Sequence, residues 1–191
     1  MPTRSFNIFS EKVVVYVGES FVWEADESAL QDGAITVSSP NWPLVPASYT
    51  LDSETPTESA QVPGTASAPS AYSFACNPPA PNVTGQTLII ARQYVSSLCT
   101  DVNIQPGDHF IWHNTGTQGV SIASAGGEDC YWPLSQETYD LEPGDWVAVK
   151  VPSDATVGSC GISVTYADRT QPCMEMATQP KLNVGGGMGG S

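Results

Sequence analysis

The sequence predicts an all-β protein made of two tandem, duplicated β-sandwich-like modules. Two observations lead to this prediction: a pattern of aromatic residues that occurs twice in the same order, and short alternating strands separated by turns. The composition agrees, because 17 glycines and 16 prolines with only 14% charged residues are typical of strands and turns. A chain of 191 residues is long enough for two modules with a core each.

An internal repeat is the main feature of the sequence. Residues 17–23 (Val-Gly-Glu-Ser-Phe-Val-Trp) align with residues 106–112 (Pro-Gly-Asp-His-Phe-Ile-Trp) at an offset of 89. Trp42-Pro43-Leu44 aligns with Trp132-Pro133-Leu134 at an offset of 90, and Gly33 and the residues after it resemble Gly119 and those after it. Matches in one order at nearly one offset indicate a duplication, and we expect a pseudo-twofold relation between the copies.

The module boundaries follow from the repeat. We expect the first module over residues 1–86, the second over residues 87–180 and a glycine-rich tail over residues 181–191. The proline-rich residues 77–81 are predicted to form a stiff, extended connector. Residues 53–70, rich in Ser, Thr, Pro and Ala, are predicted to be a loop or an irregular edge.

Aromatic residues at paired positions form the predicted core. A period of two places both aromatics of the Phe-Val-Trp segment on one face, and the same holds for Phe-Ile-Trp. The predicted core residues are Phe21, Trp23, Trp42, Phe110, Trp112 and Trp132. Alternatively, the Trp-Pro-Leu corners lie at an interface, where aromatic residues concentrate.

The second copy resembles a known family. Residues 102–114 end a strand in Pro-Gly-Asp and continue into an apolar-Trp-x-Asn strand, as in the cupredoxins. Residues 141–146 and 160–164 look like the last two strands of that family, so that the resemblance covers about 70 residues. It implies a Greek-key β-sandwich for each module.

The resemblance does not extend to the copper ligands. A blue-copper site needs two imidazoles and a thiolate. The family pattern implies one histidine near Gly119 and another after Cys160, and this sequence has neither. The two histidines, His109 and His113, share a strand face at roughly 13 Å separation, which one ion cannot bridge. We therefore expect no metal site and no cofactor.

No catalytic motif emerges. The sequence has no G-x-S-x-G elbow and no phosphate-binding loop in a strand–helix context. Glu128 and Asp129 are residue types suited to acid–base chemistry or calcium binding, but adjacent acids in a glycine-rich loop are more often solvated. The expectation is a protein without enzymatic activity.

The cysteines leave two alternatives open. The five cysteines, at positions 76, 99, 130, 160 and 173, contain no C-x-x-C spacing. Buried reduced thiols are one expectation, and a bridge between Cys130 and Cys160 or Cys173 is the other. The N-terminus lacks the apolar segment of a signal peptide, and no stretch of about 18 apolar residues predicts a membrane span.

Charge and duplication together favour a structural role. With a net charge of −14 and only six scattered basic residues, binding to nucleic acid or insertion into a membrane is not expected. Repeated similar surfaces predict assembly with copies of itself into a sheet, tube or shell. Leu182, Val184 and Met188 in the tail are candidate subunit contacts. The alternative is a metal-free cupredoxin-like module that binds a protein, peptide or sugar.

The duplicated β-module is also similar to the shell proteins that enclose the diatom pyrenoid. This second resemblance concerns architecture and general sequence character. It implies a chloroplast location around Rubisco, after removal of a targeting segment. The residues themselves do not fix the localisation.

Overall fold

A computed structural model shows the chain as two compact units, Met1–Ala91 (unit 1) and Arg92–Ser191 (unit 2). The residues that the structure describes are 3–79, 83–96, 98–126, 130–167 and 180–185. Nearly all regular structure in these ranges is strand, and the one helix there is a short 3₁₀ turn, Glu27–Leu30. The predicted all-β fold of two tandem sandwich-like modules is confirmed.

Unit 1 consists of two sheets. In chain order its strands are β1 (Arg4–Asn7), β2 (Lys12–Tyr16), β3 (Ser20–Glu24), β4 (Ile35–Ser38), β5 (Ser48–Leu51), β6 (Thr57–Gln61), β7 (Ser70–Asn77) and β8 (Gln86–Ala91). One sheet has the order β1-β3-β6, and the other has the order β2-β8-β7-β4-β5. The pairs β1–β3 and β2–β8 are parallel, and the others are antiparallel.

Unit 2 repeats this arrangement strand for strand. Its strands are β9 (Gln93–Val95), β10 (Val102–Ile104), β11 (His109–His113), β12 (Val120–Ser124), β13 (Thr138–Leu141), β14 (Trp146–Lys150), β15 (Gly158–Tyr166) and β16 (Lys181–Val184). The orders are β9-β11-β14 and β10-β16-β15-β12-β13. The pairs β9–β11 and β10–β16 are parallel, as are the corresponding pairs β1–β3 and β2–β8 of unit 1. The duplication seen in the sequence is therefore also a duplication of topology.

Strand register fixes which residues of the two units correspond. Phe21 lies opposite Arg4 and Phe110 lies opposite Gln93, which keeps the offset of 89 on both strands. In the larger sheets, Leu88 lies opposite Val13 and Leu182 lies opposite Val102. Leu182 is thus the counterpart of Leu88, a correspondence that sequence alignment did not find.

The core residues lie between the sheets of each unit. Phe21, Trp23 and Phe110 have no exposed surface, and Trp112 and Trp42 are 1% and 6% exposed. Trp132 is partly buried and packs against the core of unit 2.

In the described part of each unit, an arginine pairs with a carboxylate. Glycines with positive φ, Gly18 (83°) and Gly107 (85°), form equivalent turns before β3 and β11. The next residue in each turn is a buried acid that pairs with an arginine near the first strand of the unit: Glu19 with Arg4, and Asp108 with Arg92. Two of the six basic residues therefore form an ion pair within their own unit.

Three segments differ from the sequence prediction. Residues 53–70 lie at a sheet edge, as one of the two predicted alternatives has it, but this edge contains a regular strand, β6, which pairs with β3 in the smaller sheet. Residues 86–91 form β8 inside the larger sheet of unit 1, although the predicted boundary assigned 87–91 to the second module. Residues 181–184, assigned to a tail, form β16 between β10 and β15. In each case strand pairing with distant residues determines the structure.

Candidate functional site

The two Trp-Pro-Leu loops, residues 39–47 of unit 1 and 125–137 of unit 2, connect equivalent strands, β4 to β5 and β12 to β13. Each is anchored in the same way. Trp42 Nε1 donates to the carbonyl oxygen of Ala47 at 3.0 Å, and Trp132 Nε1 donates to that of Gln136 at 2.8 Å. The leucine that follows is buried in both loops. The two loops therefore share the same two fixed positions, a tryptophan whose indole N–H is hydrogen-bonded within the loop and a buried leucine two residues later.

The same loops carry exposed apolar side chains. Three large hydrophobic residues are exposed in the described part of the chain: Val45 at 72%, Tyr131 at 64% and Val157 at 58%. Val45 lies in the Trp-Pro-Leu loop of unit 1 and Tyr131 in that of unit 2. Sequence reasoning assigned the tryptophans of these corners to the core, gave an interface position of the corners as the alternative, and named neither Val45 nor Tyr131. Their exposed neighbours carry no distinct sequence signal.

The tail residues named as candidate subunit contacts occupy a different position. Leu182 and Val184 are 0% and 4% exposed and belong to the core cluster of unit 2. The reason is the central place of β16 in its sheet, where both neighbours hydrogen-bond to it. These two side chains are therefore not available to a second subunit. Met188 lies outside the described residues.

The disulfide alternative for the cysteines is the one found. Cys130 is bonded to Cys160, with 4.7 Å between their Cα atoms, and Cys99 is also disulfide-bonded. The Ser124 hydroxyl lies 3.2 Å from the sulfur of Cys130 and 3.3 Å from that of Cys160. Because neither bonded sulfur carries a proton, Ser124 is the donor in both contacts.

The residues present do not fit a blue-copper site. The sulfur of Cys160 is in a disulfide and cannot act as a thiolate ligand. Cys76 is the one free cysteine in the described residues, and it belongs to unit 1, which has no histidine. Its thiol donates to the Ile8 carbonyl at 3.2 Å, and burial raises its pKa to about 11. The described residues therefore do not supply the two imidazoles and the thiolate of a blue-copper site.

The histidines are buried rather than exposed. His109 and His113 are 9% and 5% exposed on β11, and the Tyr94 hydroxyl hydrogen-bonds to His113 Nδ1. Among the described residues, no three His, Cys, Asp or Glu side chains are grouped so that they could hold a metal. The pair Glu128–Asp129 lies outside the described residues.

Asn114, at the end of the apolar-Trp-x-Asn segment, is a structural residue. Its Nδ2 donates to the carbonyl oxygens of Gln118 and Leu141 at 2.7 and 3.0 Å, and its Oδ1 accepts from the Gly116 amide at 3.0 Å. The side chain is 1% exposed. It therefore joins the loop after β11 to the end of β13.

A polar group in unit 1 has no counterpart in unit 2. Glu58 lies opposite the buried Trp23 in the register of β3 and β6. Trp23 Nε1 and the Tyr49 hydroxyl are buried and have no hydrogen-bond partner among the residues that the structure describes. Burial, with a smaller contribution from the Glu58 charge, raises the pKa of Tyr49 to about 12. In unit 2, Val147 takes the position of Glu58.

Comparison with known proteins shows distant structural likeness only. A copper-containing nitrite reductase from Thermus scotoductus is 12% identical at a TM-score of 0.30, with 91% of this chain and 54% of that chain covered. Lac15 from a marine microbial metagenome is 10% identical at a TM-score of 0.30, and the match covers 92% of this chain and 58% of Lac15. The D0-D1 domain of Intimin is 11% identical at a TM-score of 0.24, and the match covers 91% of this chain and 94% of that domain. The chain thus spans little more than half of the first two.

No protein-family model and no curated protein matches the sequence. At TM-scores this low, the structural likeness carries no argument, and the fold assignment depends on the strand pairings. In the described residues there is no helix of the length and apolarity that a membrane crossing requires.

Proposed function

We propose that this chain is a non-catalytic structural protein, a metal-free pair of cupredoxin-like modules that assembles with copies of itself into a sheet, tube or shell. One observation carries the proposal. Val45 and Tyr131, two of the three exposed large hydrophobic residues described, lie on equivalent loops of the two units. Each unit thus exposes one large apolar side chain on this loop, although at different positions, since the counterparts of Val45 and Tyr131 at the offset of 90 are Ser135 and Asn41.

Equivalent loops at two places on one chain favour repeated contacts. The loop of unit 1 on one copy can meet the loop of unit 2 on the next, and a heterologous contact of this kind propagates unless the rotation closes a ring. Aromatic side chains such as Tyr131 are enriched at the centres of interfaces. The occupant that we propose for each loop is a second copy of this chain.

The experiment compares three proteins. The wild-type chain, a Val45→Ser/Tyr131→Ser double variant and a Val157→Ser control are followed by light scattering and negative-stain electron microscopy over a range of concentrations. Val157 is the matched control because it is 58% exposed and lies outside both loops. We expect large particles from the wild type and the control, and monomers from the double variant.

Two results would contradict the proposal. One is a wild-type chain that remains monomeric at every accessible concentration. The other is equal loss of assembly in the Val157→Ser control, which would show that general surface hydrophobicity, and not the Trp-Pro-Leu loops, drives association.

A second candidate function is favoured by one feature of unit 2. The exposed Tyr131 stands directly before the partly buried Trp132. Neighbouring aromatic rings at a surface are a common element of peptide and sugar recognition. A binding module of this kind would remain monomeric, and Tyr131→Ser would abolish its binding to an immobilised glycan or peptide panel.

The compartment is part of the same proposal. Disulfides persist in oxidising compartments and are rare in the cytosol. Since Cys130, Cys160 and Cys99 are all disulfide-bonded, we propose an oxidising compartment in preference to the pyrenoid location that the second resemblance implies. Mass spectrometry after rapid thiol blocking in cells would test this, and free Cys130 and Cys160 would contradict it.

A further inference from the structure

A disulfide joins the Trp-Pro-Leu loop of unit 2 to the larger sheet, and the loop of unit 1 has no such bond. Cys160 lies opposite Leu182 in β15, where unit 1 has Tyr72 opposite Leu88. Cys130 lies in the loop, and at the repeat offset of 90 unit 1 has Pro40. The two copies therefore differ in this covalent bond, because unit 1 has no cysteine at either corresponding position.

The bond is placed next to the exposed aromatic residue of the loop. Cys130 directly precedes Tyr131, whose side chain is 64% exposed. Cys160 is 2% exposed, whereas Cys130 is partly exposed. A reductant can thus reach Cys130 first. The Trp132 hydrogen bond and the buried Leu134 hold the loop on the C-terminal side of Tyr131. On its N-terminal side, the nearest residue that holds the loop is Cys130, through the disulfide.

We propose that the Cys130–Cys160 disulfide is a redox-sensitive tether that fixes Tyr131 in position for assembly, so that a dithiol reductant weakens self-association. This inference rests on the proposed function for its effect on assembly. Its structural part, the fixing of the Tyr131 segment, can be tested separately.

The reductive step balances as ordinary thiol–disulfide exchange. A thiolate of a dithiol attacks the Cys130 sulfur, which forms a mixed disulfide and releases Cys160 as a thiolate. The second thiolate of the reductant then displaces Cys130, and two protons complete the two thiols. The protein bond gains two electrons and the dithiol becomes a disulfide.

Ser124 is a positioning residue for this exchange. Its hydroxyl donates toward both sulfurs at 3.2 and 3.3 Å and accepts from the Gly126 amide at 3.1 Å. A hydroxyl already directed at Cys160 stabilises the thiolate that leaves, and a lower pKa of the leaving thiol speeds the exchange. Ser124→Ala should slow reduction by dithiothreitol about tenfold, with no change in the fold of the oxidised protein.

The main experiment uses full-length proteins under oxidising conditions. A Cys130→Ser/Cys160→Ser variant removes this bond alone, whereas dithiothreitol would also reduce the disulfide at Cys99. A Cys99→Ser variant serves as the control for loss of the other disulfide. For each protein we would measure hydrogen exchange of the Trp132 indole N–H, which donates to the Gln136 carbonyl oxygen, and particle size by light scattering.

We expect the double variant to exchange the Trp132 indole proton at least about tenfold faster and to form fewer large particles. The Cys99→Ser control should resemble the wild type in both measurements. Unchanged exchange in the double variant would overturn the tether whether or not the chain assembles. Faster exchange with unchanged assembly would overturn redox control but leave the assembly proposal intact. A wild type that never assembles would contradict the proposed function, and the exchange data would still decide the tether.

Discussion

Glu58 lies directly opposite Trp23 on the core face of unit 1, and the corresponding residue opposite Trp112 in unit 2 is Val147. Opposite residues of an antiparallel pair point to the same side of the sheet. Unit 1 therefore places a carboxylate against the aromatic core where unit 2 places an apolar side chain. Since both units have the same strand register, unit 2 provides a natural reference for substitutions in unit 1.

We expect Glu58→Val to stabilise the protein. The change removes a charge from the rim of the core and adds apolar contact, which should raise the free energy of unfolding by about 1 kcal/mol. Urea unfolding followed by tryptophan fluorescence measures the difference. Ser59→Val, on the other face of β6, controls for a general gain in strand propensity. A stabilisation by Ser59→Val equal to that by Glu58→Val would show that the site opposite Trp23 has no special effect.

The stability of unit 1 should fall in alkali because of Tyr49. Its pKa is raised to about 12 in the folded protein, whereas an ordinary tyrosine, as in the unfolded chain, has a pKa of 10.0. The stabilising contribution is therefore fully present below about pH 10 and is lost as the pH rises toward about 12, a loss of about 2–3 kcal/mol. Denaturant unfolding across this range measures it, and Tyr49→Phe should remove it. An identical pH dependence in Tyr49→Phe would contradict the assignment.

Removing one partner of the Arg4–Glu19 pair should be strongly destabilising. The carboxylate accepts from Nε and Nη2 of Arg4 at 2.5 Å each, and the side chains are only 8% and 3% exposed. Glu19→Gln leaves a buried guanidinium unpaired at a cost of about 3–5 kcal/mol. The double change Arg4→Met/Glu19→Leu should cost less than Glu19→Gln alone. A larger loss in the double variant, measured by urea unfolding, would refute this.

Leu182→Ala should destabilise unit 2 rather than alter assembly directly. A fully buried leucine replaced by alanine costs about 2–5 kcal/mol. Lys181→Ala is the control, because that side chain is exposed on the same strand. Thermal unfolding should show a lower midpoint for Leu182→Ala only. If Leu182 were a subunit contact, particle size would change at unchanged thermal stability.

Assembly should increase with salt. Copies with a net charge of −14 repel one another, and two of the six basic side chains, Arg4 and Arg92, are engaged in internal ion pairs. Screening shortens the range of this repulsion to about 8–10 Å near physiological ionic strength. Light scattering in increasing sodium chloride should show assembly at lower protein concentrations. A constant threshold would show that surface charge does not oppose the contact.

The predicted duplication depends on residues whose signal is local. Phe21 with Trp23, and Phe110 with Trp112, alternate within short segments next to turn-forming glycines, so that both strands and their correspondence were recognisable. The alignment was less secure where the loops change length. Pairing Gly33 with Gly119 would match Ile35 with Ser121, whereas the register matches Ile35 with Val120, since these residues lie opposite Leu51 and Leu141. A one-residue slip reverses the face of every side chain in a strand.

By itself, the sequence determined the all-β class, the presence of two copies and the aromatic core. Each of these can be recognised from short segments of consecutive residues, either by their alternation or by their recurrence at a nearly constant offset. Only the tertiary structure decided the roles of residues 57–61 and 181–184, the Cys130–Cys160 bond and the exposure of Val45 and Tyr131. Each of these depends on partners distant in the chain. The short polar segment Thr-Glu-Ser-Ala-Gln forms β6 because it pairs with β3. The segment before the glycine-rich end forms a central strand because it pairs with β10 on one side and β15 on the other.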